Sequence, residues 1–397
     1  MRLPWSPARH FPRLSARIAP SAPPRAIAAP PALHIASPEA LGERVFGPAV
    51  FAFLAWLIRH PATARLDRLY FASREGWALE RLYGAMRARL ADNALPRGLY
   101  LPCSRRVMLA AQLGAAQLGA TQREAPLANG RLEVGLLTAS SPWFEGTVED
   151  LLLARIGFVP KRPAPPDTTR ITLMQDAAIA HCAAELMADE IVPHVRRIHA
   201  DVLAFAASCG LTAGGAAGLV DVGYSATIQT AIQHTLGVRL AGFYMAVSDA
   251  AAKAEAGRAG GYAFAAFARG AATATFAAEC GLPLEAVLSA PHGQVIGYAP
   301  PTRGRRAAPV SPVFGAPGLA QLHFPMLQRV HDGMHVYCLD RLSAHGLQAA
   351  PDPLAMLRRL GRGEVSVAPE IGSALMVEDA FCGNGEIDVL ARARGAQ

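Results

Sequence analysis

Few cysteines occur in this chain, and none of them form a close pair. The six are far apart, without a C-x-x-C spacing: Cys103, Cys182, Cys209, Cys280, Cys338 and Cys382. This spacing excludes a zinc ribbon and a small disulfide scaffold, and it is typical of proteins in a reducing compartment. We therefore expect a cytoplasmic protein whose cysteines are small buried hydrophobic side chains.

A long uninterrupted apolar run is also lacking. The best candidate, residues 48–58, has about half of the ~20 residues that a transmembrane helix needs. The N-terminus is without the continuous apolar segment of a secretory signal peptide. We therefore expect no membrane span and no secretion signal.

The basic residues are not clustered in the body of the chain. The formal net charge is +7 and the isoelectric point is near 9.3, but no basic stripe with interleaved aromatic residues occurs, which argues against nucleic-acid binding. The first forty residues contain one acid, Glu39, against five arginines: Arg2, Arg9, Arg13, Arg17 and Arg25. Because this stretch is rich in proline and alanine, we expect residues 1–36 to be a disordered tail, or to precede the true start of translation.

Two stretches share one design, an apolar run that passes through a polar turn into a helix. The first has a predicted strand at 68–72, a turn at 73–76 and a helix at 77–90. The second has a predicted strand at 217–222 and a helix at 226–235. Such junctions are typical of doubly wound α/β domains, in which ligands bind outside the carboxyl ends of the strands and helix N-termini favour anions.

The rest of the chain continues the alternation of strands and helices. With 397 residues, 52% of them hydrophobic, the chain can bury a sizeable core. We expect a mostly parallel Rossmann-like sheet in an α/β domain at 37–300, with a helical insert at about 171–210 that Pro193 interrupts. Residues 301–397 are expected to be mainly helical. Further predicted elements are strands at 99–104, 240–247 and 294–298, a short helix at 284–288, an exposed loop at 301–316, and a helix at 319–342 that Pro325 breaks or kinks.

Five short motifs follow one another in residues 40–300. They are Leu41-Gly42…Gly47-Pro48…Trp56-Leu57, Phe71-Ala72-Ser73-Arg74-Glu75-Gly76, Tyr100…Ser104-Arg105-Arg106, Asp221-Val222-Gly223-Tyr224-Ser225-Ala226-Thr227-Ile228-Gln229 and Leu284-Glu285…Ala290-Pro291-His292-Gly293. In this order they resemble a region of bacterial proteins described as predicted hydrolases of the haloacid-dehalogenase (HAD) superfamily. Such proteins often occur with, or are fused to, glycosyltransferases of cell-surface polysaccharide pathways. The resemblance implies a hydrolase in polysaccharide biosynthesis with a glycosyltransferase partner.

The catalytic signature of HAD phosphatases is absent. Those enzymes use Asp-x-Asp-x-Thr, in which one Asp is the nucleophile and the other the general acid/base, together with a bound Mg²⁺. Here Asp221 is followed two residues later by Gly223, and Thr227 lies too far along. In longer relatives the catalytic core lies before this region, and we expect this chain to begin after it.

The second junction predicts a phosphate-binding turn. Gly223, Ser225 and Thr227 lie where a helix N-terminus presents N–H groups and hydroxyls to a phosphate. Asp221 is the candidate for catalysis and for binding a metal, with Mg²⁺ as the candidate cofactor, or a sugar hydroxyl. One alternative is that Ser225 or Thr227 only caps the helix. Another is a phosphoribosyltransferase, which uses a comparable strand–acid–turn–Thr arrangement but usually with paired acids that are missing here.

The first junction and the neighbouring strand end predict an anionic small-molecule ligand. Arginines suit bidentate binding of phosphate or carboxylate, and three of them at adjacent strand ends favour an anion more than any single one does. The alternative is a surface turn held by Arg74 and Glu75. The predicted ligand-binding residues here are Ser73, Arg74, Glu75, Gly76, Ser104, Arg105 and Arg106.

Glu285 and His292 are the candidate acid and base outside these turns. A loop histidine beside a glycine can titrate near neutrality, although many such histidines are ordinary loop residues. The run 331–335, His-Asp-Gly-Met-His, has the spacing of a zinc-protease helix, but Asp332 replaces the general-base Glu and Gly333 interrupts the helix. We therefore expect a structural role for that run.

Two functions from different classes remain open at this point. In the first, the protein binds a phosphorylated or nucleotide-activated sugar-type ligand at the turns and acts as a transferase or phosphohydrolase in surface-polysaccharide assembly. In the second, it is a non-catalytic scaffold or partner module of a glycosyltransferase. The missing Asp-x-Asp favours the second function, and the polar strand-end turns favour the first. The first function requires the turns to converge on one open pocket, whereas the second does not.

Overall fold

A computed structural model describes residues 33–92, 94–122, 137, 143–161, 170–247, 264–268, 276–299 and 310–395. The strands are β1 (Leu33–Ile35), β2 (Arg68–Ala72), β3 (Arg97–Leu101), β4 (Glu145–Gly146), β5 (Ile171–Thr172), β6 (Ala217–Asp221), β7 (Leu240–Ala246), β8 (Phe264–Ala268), β9 (Val295–Ala299), β10 (Ser311–Phe314), β11 (Val365–Val367), β12 (Met376–Asp379) and β13 (Gly385–Asp388). The helices are α1 (Pro38–Arg59), α2 (Gly76–Leu90), α3 (Arg105–Gln122), α4 (Val148–Ile156), α5 (Leu173–Leu186), α6 (Ala188–Ser208), α7 (Thr227–Leu236), α8 (Leu282–Val287), α9 (Leu319–Leu322), α10 (Phe324–His345), α11 (Ala355–Gly361), α12 (Pro369–Gly372) and α13 (Val389–Gly395).

A five-stranded sheet with the order β3-β2-β6-β7-β8 forms the centre of the fold. Every neighbouring pair in it is parallel, so the predicted α/β class with a parallel sheet is confirmed. The chain adds β3 on one side of β2 and then crosses back to add β6 on the other side. The strand order therefore reverses between β2 and β6, which is the place where open parallel sheets leave a crevice.

Side chains alternate along the strands and build a core on each face of the sheet. In β2, Leu69 and Phe71 join one apolar cluster, whereas Tyr70 and Ala72 join another. The first cluster includes residues of α1, α2 and α10, and the second includes residues of α3, α4 and α6. Because both faces are covered, β2 has a continuous apolar sequence rather than an alternating one.

The predicted elements at the two junctions are confirmed to within one residue. The strand predicted at 99–104 differs more: β3 begins at Arg97 and ends at Leu101. Pro102 has no N–H to continue the ladder, and Ser104 already caps α3, where its hydroxyl accepts a hydrogen bond from the Val107 N–H at 3.2 Å. The last residues of the predicted strand 99–104 therefore belong to the connection between β3 and α3, which the apolar pattern did not distinguish from the strand.

Residues 171–210 are mostly helical as predicted, but the predicted interruption at Pro193 is wrong. The break between α5 and α6 falls at Met187, which has φ −103° and ψ 10°. Pro193 lies inside α6, where it removes one hydrogen bond without ending the helix. The insert also begins with β5, which pairs with β4 in an antiparallel arrangement.

The predicted disordered tail extended too far. Residues 33–35, placed in it by composition, form β1, which runs parallel to β11. That pairing joins segments at opposite ends of the chain, so local composition could not indicate it. The remainder of the predicted tail, residues 1–32, lies outside the described residues.

The C-terminal region contains more strand than predicted. Helices α9 to α13 are present, and Pro325 stands in the first turn of α10, just after the break that separates it from α9. Part of the predicted exposed loop, Ser311–Phe314, instead forms β10 and pairs with β9, and the rest of that loop, residues 301–309, lies outside the described residues. Strands β12 and β13 form a hairpin.

Helix α1 contains the apolar run at 48–58. It has 22 residues, and a mean hydropathy of 1.5 in its most apolar window would suit a membrane span by length and composition alone. However, 78% of that window is buried within the protein, as in a core helix. The absence of a membrane span and the cytoplasmic location stay predictions. Of the six cysteines, Cys103, Cys280 and Cys338 are buried, whereas Cys182 is exposed.

Helices α1 and α10 cross at glycines. A Cβ atom at Gly42 would overlap the carbonyl oxygen of Val330, and one at Gly333 would overlap that of Glu39. Nearby, the buried His331 bonds through Nε2 to the Val287 carbonyl oxygen at 2.6 Å, whereas His335 is exposed. The two histidines therefore lie in different environments, and Gly333 has a packing role.

We expect Gly333→Ala to destabilise the protein by about 1–3 kcal/mol, because the added methyl group forces two helix backbones apart. Gly84 is the matched control, since it also lies in a helix but a Cβ there would meet open space. Gly84→Ala should leave stability unchanged or raise it by up to about 1 kcal/mol. Urea unfolding of both variants measures the difference. Equal midpoints for Gly333→Ala and the wild type would show that the crossing is not close-packed.

Candidate functional site

A cavity of about 380 Å³ lies at the carboxyl ends of β2, β3 and β6. The turns that follow these three strands all contribute to its lining, so they converge on one open site. Ten of the residues singled out from the sequence line it: Ser73, Arg74, Glu75, Ser104, Arg105, Asp221, Gly223, Ser225, Thr227 and Glu285.

Three predicted site residues are not in this lining. Gly76 begins α2, where a Cβ would approach the backbone of Phe71. The Arg106 side chain lies against Gly157, and burial lowers the pKa of its guanidinium. The His292 Nε2 lies 2.8 Å from the Tyr100 hydroxyl, and its ring stacks on Phe314. The structure therefore does not bring these three residues to the cavity lining.

The hydroxyls of Ser73 and Ser104 hold the turns in place. Ser73 Oγ donates to the Cys103 carbonyl oxygen and accepts from the Cys103 N–H, tying the end of β2 to the segment after β3. Ser104 Oγ donates to the Val295 carbonyl oxygen at 2.7 Å while it caps α3. Because each hydroxyl has a single proton to donate, both donors are already used by the fold.

The N-terminus of α7 borders the cavity. Its N-cap residue is Ala226, which has a left-handed φ of +53°. Among the described residues, no side chain caps the first turn, so neither Ser225 nor Thr227 plays the capping role considered as the alternative. The N–H groups of an uncapped first turn are available to an acceptor. Before the helix, the Gly223 N–H donates to Asp221 Oδ1 at 3.3 Å, which shapes the turn.

Two carboxyl groups in the cavity have raised pKa values. The pKa of Asp221 is raised to about 6, chiefly by burial and also by repulsion from the nearby Glu75 carboxylate. Burial likewise raises the pKa of Glu285 to about 8, with repulsion from Glu75 adding to it and the Arg105 guanidinium opposing it. Near neutral pH the Glu285 carboxyl is therefore mainly protonated while Asp221 is mainly ionised. One acid and one base stand in the same cavity.

The arginines bind the C-terminal hairpin as well as facing the cavity. Arg74 Nη1 lies 2.7 Å from Glu378 Oε2 of β12, and the Arg105 guanidinium carbon lies 4.9 Å from the centre of the Phe381 ring. The predicted excess of positive charge is not found, because acidic residues outnumber arginines in the lining. The arginines of the lining are Arg74 and Arg105, and its acidic residues are Glu75, Asp221, Glu285 and Glu378.

The described residues contain no group of three or more His, Cys, Asp or Glu side chains placed to bind one metal ion. Mg²⁺ is often held by one or two carboxylates together with substrate phosphates, so such a group is not required. Asp221 as a ligand of Mg²⁺ therefore stays a prediction.

Several lining residues were missed by sequence reasoning. The β12–β13 hairpin contributes Met376, Val377, Glu378 and Phe381, and Trp143 and Tyr224 also line the cavity. The hairpin is separated from the strand-end turns by more than a hundred positions in the sequence, and no local pattern marks it. Tyr224 did carry a signal, since it lies inside the second junction. Its buried hydroxyl has no hydrogen-bond partner within the described part of the chain.

No protein-family model matches this chain, and no curated protein matches it significantly. The resemblance to HAD hydrolases thus depends on the five motifs alone.

We expect Glu285→Gln to stabilise the protein increasingly as the pH rises. The carboxyl group has a folded pKa of about 8 against an ordinary value of 4.5, so the wild type loses stability as the pH rises through this window. The amide variant lacks this titration and should gain about 1–3 kcal/mol at pH 8.5, allowing for the solvent that reaches a partly exposed carboxyl.

The measurement is the thermal unfolding midpoint of variant and wild type from pH 4 to pH 9. Glu370→Gln is the matched control, because it makes the same substitution at an exposed position of α12. A constant difference for Glu285→Gln would show that Glu285 is not protonated at neutral pH.

Proposed function

We propose that the protein binds a phosphorylated or nucleotide-activated sugar-type ligand in this cavity and catalyses transfer or hydrolysis at its phosphate-linked end. The observation that carries the proposal is the convergence of three strand-end turns on one cavity that holds two carboxyl groups of different pKa, Asp221 and Glu285. Cell-surface polysaccharide biosynthesis, with a glycosyltransferase as partner, is the proposed pathway, on the strength of the motif resemblance.

The topology supports a ligand at this place. Counted along the chain, the five parallel strands have the order 2-1-3-4-5, which is one of the two common orders of doubly wound, Rossmann-like folds. In such folds the ligand lies outside the carboxyl ends of the strands, where the order reverses. The cavity lies between the turns after β2 and β6, at that point.

The mixed charge of the lining favours a ligand that carries both hydroxyls and phosphate. Phosphate oxygens need donors, which Arg105 and the first turn of α7 supply. Sugar hydroxyls can donate to carboxylates, which Glu75 and Asp221 supply. A polyanion without hydroxyls would meet more negative than positive side chains here.

The two carboxyls suit general acid–base catalysis. Above about pH 6 the ionised Asp221 accepts the proton of the attacking water or acceptor hydroxyl. Below about pH 8 the protonated Glu285 donates its proton to the oxygen of the leaving group, so one proton is taken up and one is released in each cycle. If Mg²⁺ binds, Asp221 is the residue that would hold it, and the ion would neutralise charge on the phosphate.

We expect nucleotide sugars, sugar phosphates or phosphoribosyl diphosphate, tested with and without Mg²⁺, to raise the thermal unfolding midpoint. A ligand at a hundred times its dissociation constant adds about 2.7 kcal/mol. The shift should be lost in Arg105→Ala and Asp221→Asn, which remove a donor and an acceptor from the cavity. Arg197→Ala is the matched control, because Arg197 is an exposed arginine of α6 paired with Asp201. If no compound shifts a well-folded wild type, the scaffold function is favoured instead.

For any substrate that is turned over, we expect a bell-shaped dependence of kcat/KM on pH, with limbs near pH 6 and pH 8 from Asp221 and Glu285. Glu285→Gln should lower kcat by about 10²- to 10⁴-fold, the usual contribution of a general acid, and should remove the alkaline limb. A profile that keeps its alkaline limb in this variant would assign the acid to another group.

A further inference from the structure

A tryptophan stands at the mouth of the cavity. Trp143 lines the cavity, and yet 64% of its surface is exposed. Single exposed apolar side chains are common on proteins. At the edge of a ligand cavity, however, an indole offers a wide, flat face to a planar ring. Phe381 is another aromatic residue in the described part of the lining, and we call Trp143 and Phe381 together the aromatic wall.

A buried arginine fixes both aromatic residues. Arg155 is fully buried in α4, and its Nη2 donates to the Trp143 carbonyl oxygen at 3.1 Å. Its guanidinium carbon lies 4.0 Å from the centre of the Phe381 ring. Burying a guanidinium is unfavourable unless its contacts compensate. The contacts of Arg155 join the two chain segments that carry the aromatic wall, so the indole has a rigid backbone attachment.

The reactive groups and the indole lie at different depths. Asp221 and Glu285 line the cavity and are each only partly exposed, whereas Trp143 is mainly in solvent. Arg105 stands on the same wall, with its guanidinium over Phe381. Consider a ligand whose reacting end lies at the carboxyls and whose phosphates lie near Arg105. The group attached to the far side of its phosphates would then reach the indole.

We propose that Trp143 stacks on the nucleobase of a nucleotide-activated sugar, whose sugar end lies at Asp221 and Glu285. This inference depends on the proposed function, because it assigns the ligand class within the same cavity. A nucleobase is the planar group that is joined to a sugar through phosphates in such compounds, and base–aromatic stacking is tolerant of base identity because every base has a π face.

The experiment compares two kinds of probe on the full-length protein by calorimetric titration. The first is a set of uridine, guanosine and thymidine diphosphate sugars, and the second is the matching sugar 1-phosphates, which lack the base. Trp143→Ala should weaken binding of at least one nucleotide sugar by about tenfold or more, as expected for the loss of one stacked base. The same variant should bind the sugar 1-phosphates as the wild type does, and Trp143→Phe should retain most of the nucleotide-sugar affinity.

The controls separate the possible failures. Leu186→Ala removes another exposed apolar side chain, 67% exposed on α5, and should change neither affinity. If the wild type binds nucleotide sugars but Trp143→Ala leaves their affinity unchanged, or weakens both kinds of probe equally, the stacking assignment is overturned while the proposed function stands. If the wild type binds sugar 1-phosphates but no nucleotide sugar, the stacking assignment is likewise overturned while the proposed function stands. If the wild type binds neither kind of probe, the proposed function and this inference fail together.

Discussion

The reversal of strand order between β2 and β6 is the constraint on which the site depends. Parallel strands end at the same edge of the sheet, and the connections after β2 and β6 leave that edge toward different neighbours. The polar turns after β2 and β6 line a cavity at this edge. Burial of both faces of the sheet in separate apolar clusters holds these turns rigidly.

The charges of the cavity explain why it differs from a simple anion pocket. In this partly buried space Glu75 raises the cost of ionising Asp221 and Glu285, and Arg105 compensates only in part. Arg74 is shared with Glu378 of the C-terminal hairpin. The result is a site in which the Glu285 carboxyl is protonated and the Asp221 carboxyl is ionised at neutral pH. Proton transfer therefore suits it better than the nucleophilic chemistry of an Asp-x-Asp motif, which this chain lacks.

Close approach of backbones decides the rest of the architecture. The crossing of α1 and α10 requires glycine at positions 42 and 333, and it explains why Gly333 stands in a run whose spacing resembles a metal motif. Pairing of β1 with β11 joins the beginning of the described chain to its C-terminal part. Together with the contact between Arg74 and Glu378, these long-range contacts bring the C-terminal hairpin to the cavity.

The local sequence determined the strands, the helices and the polar turns at the two junctions, because hydrophobic period and turn residues act over a few positions. It also indicated Asp221 and Arg105 as residues of one site, since carboxyl ends of parallel strands share an edge, whereas Glu285 was only a candidate acid outside the turns. Only the tertiary structure decided that Ser73 and Ser104 serve the fold, that Arg106 and His292 point elsewhere, and that the β12–β13 hairpin and Trp143 complete the cavity. These outcomes depend on contacts between segments far apart in the chain, and no local pattern encodes such contacts.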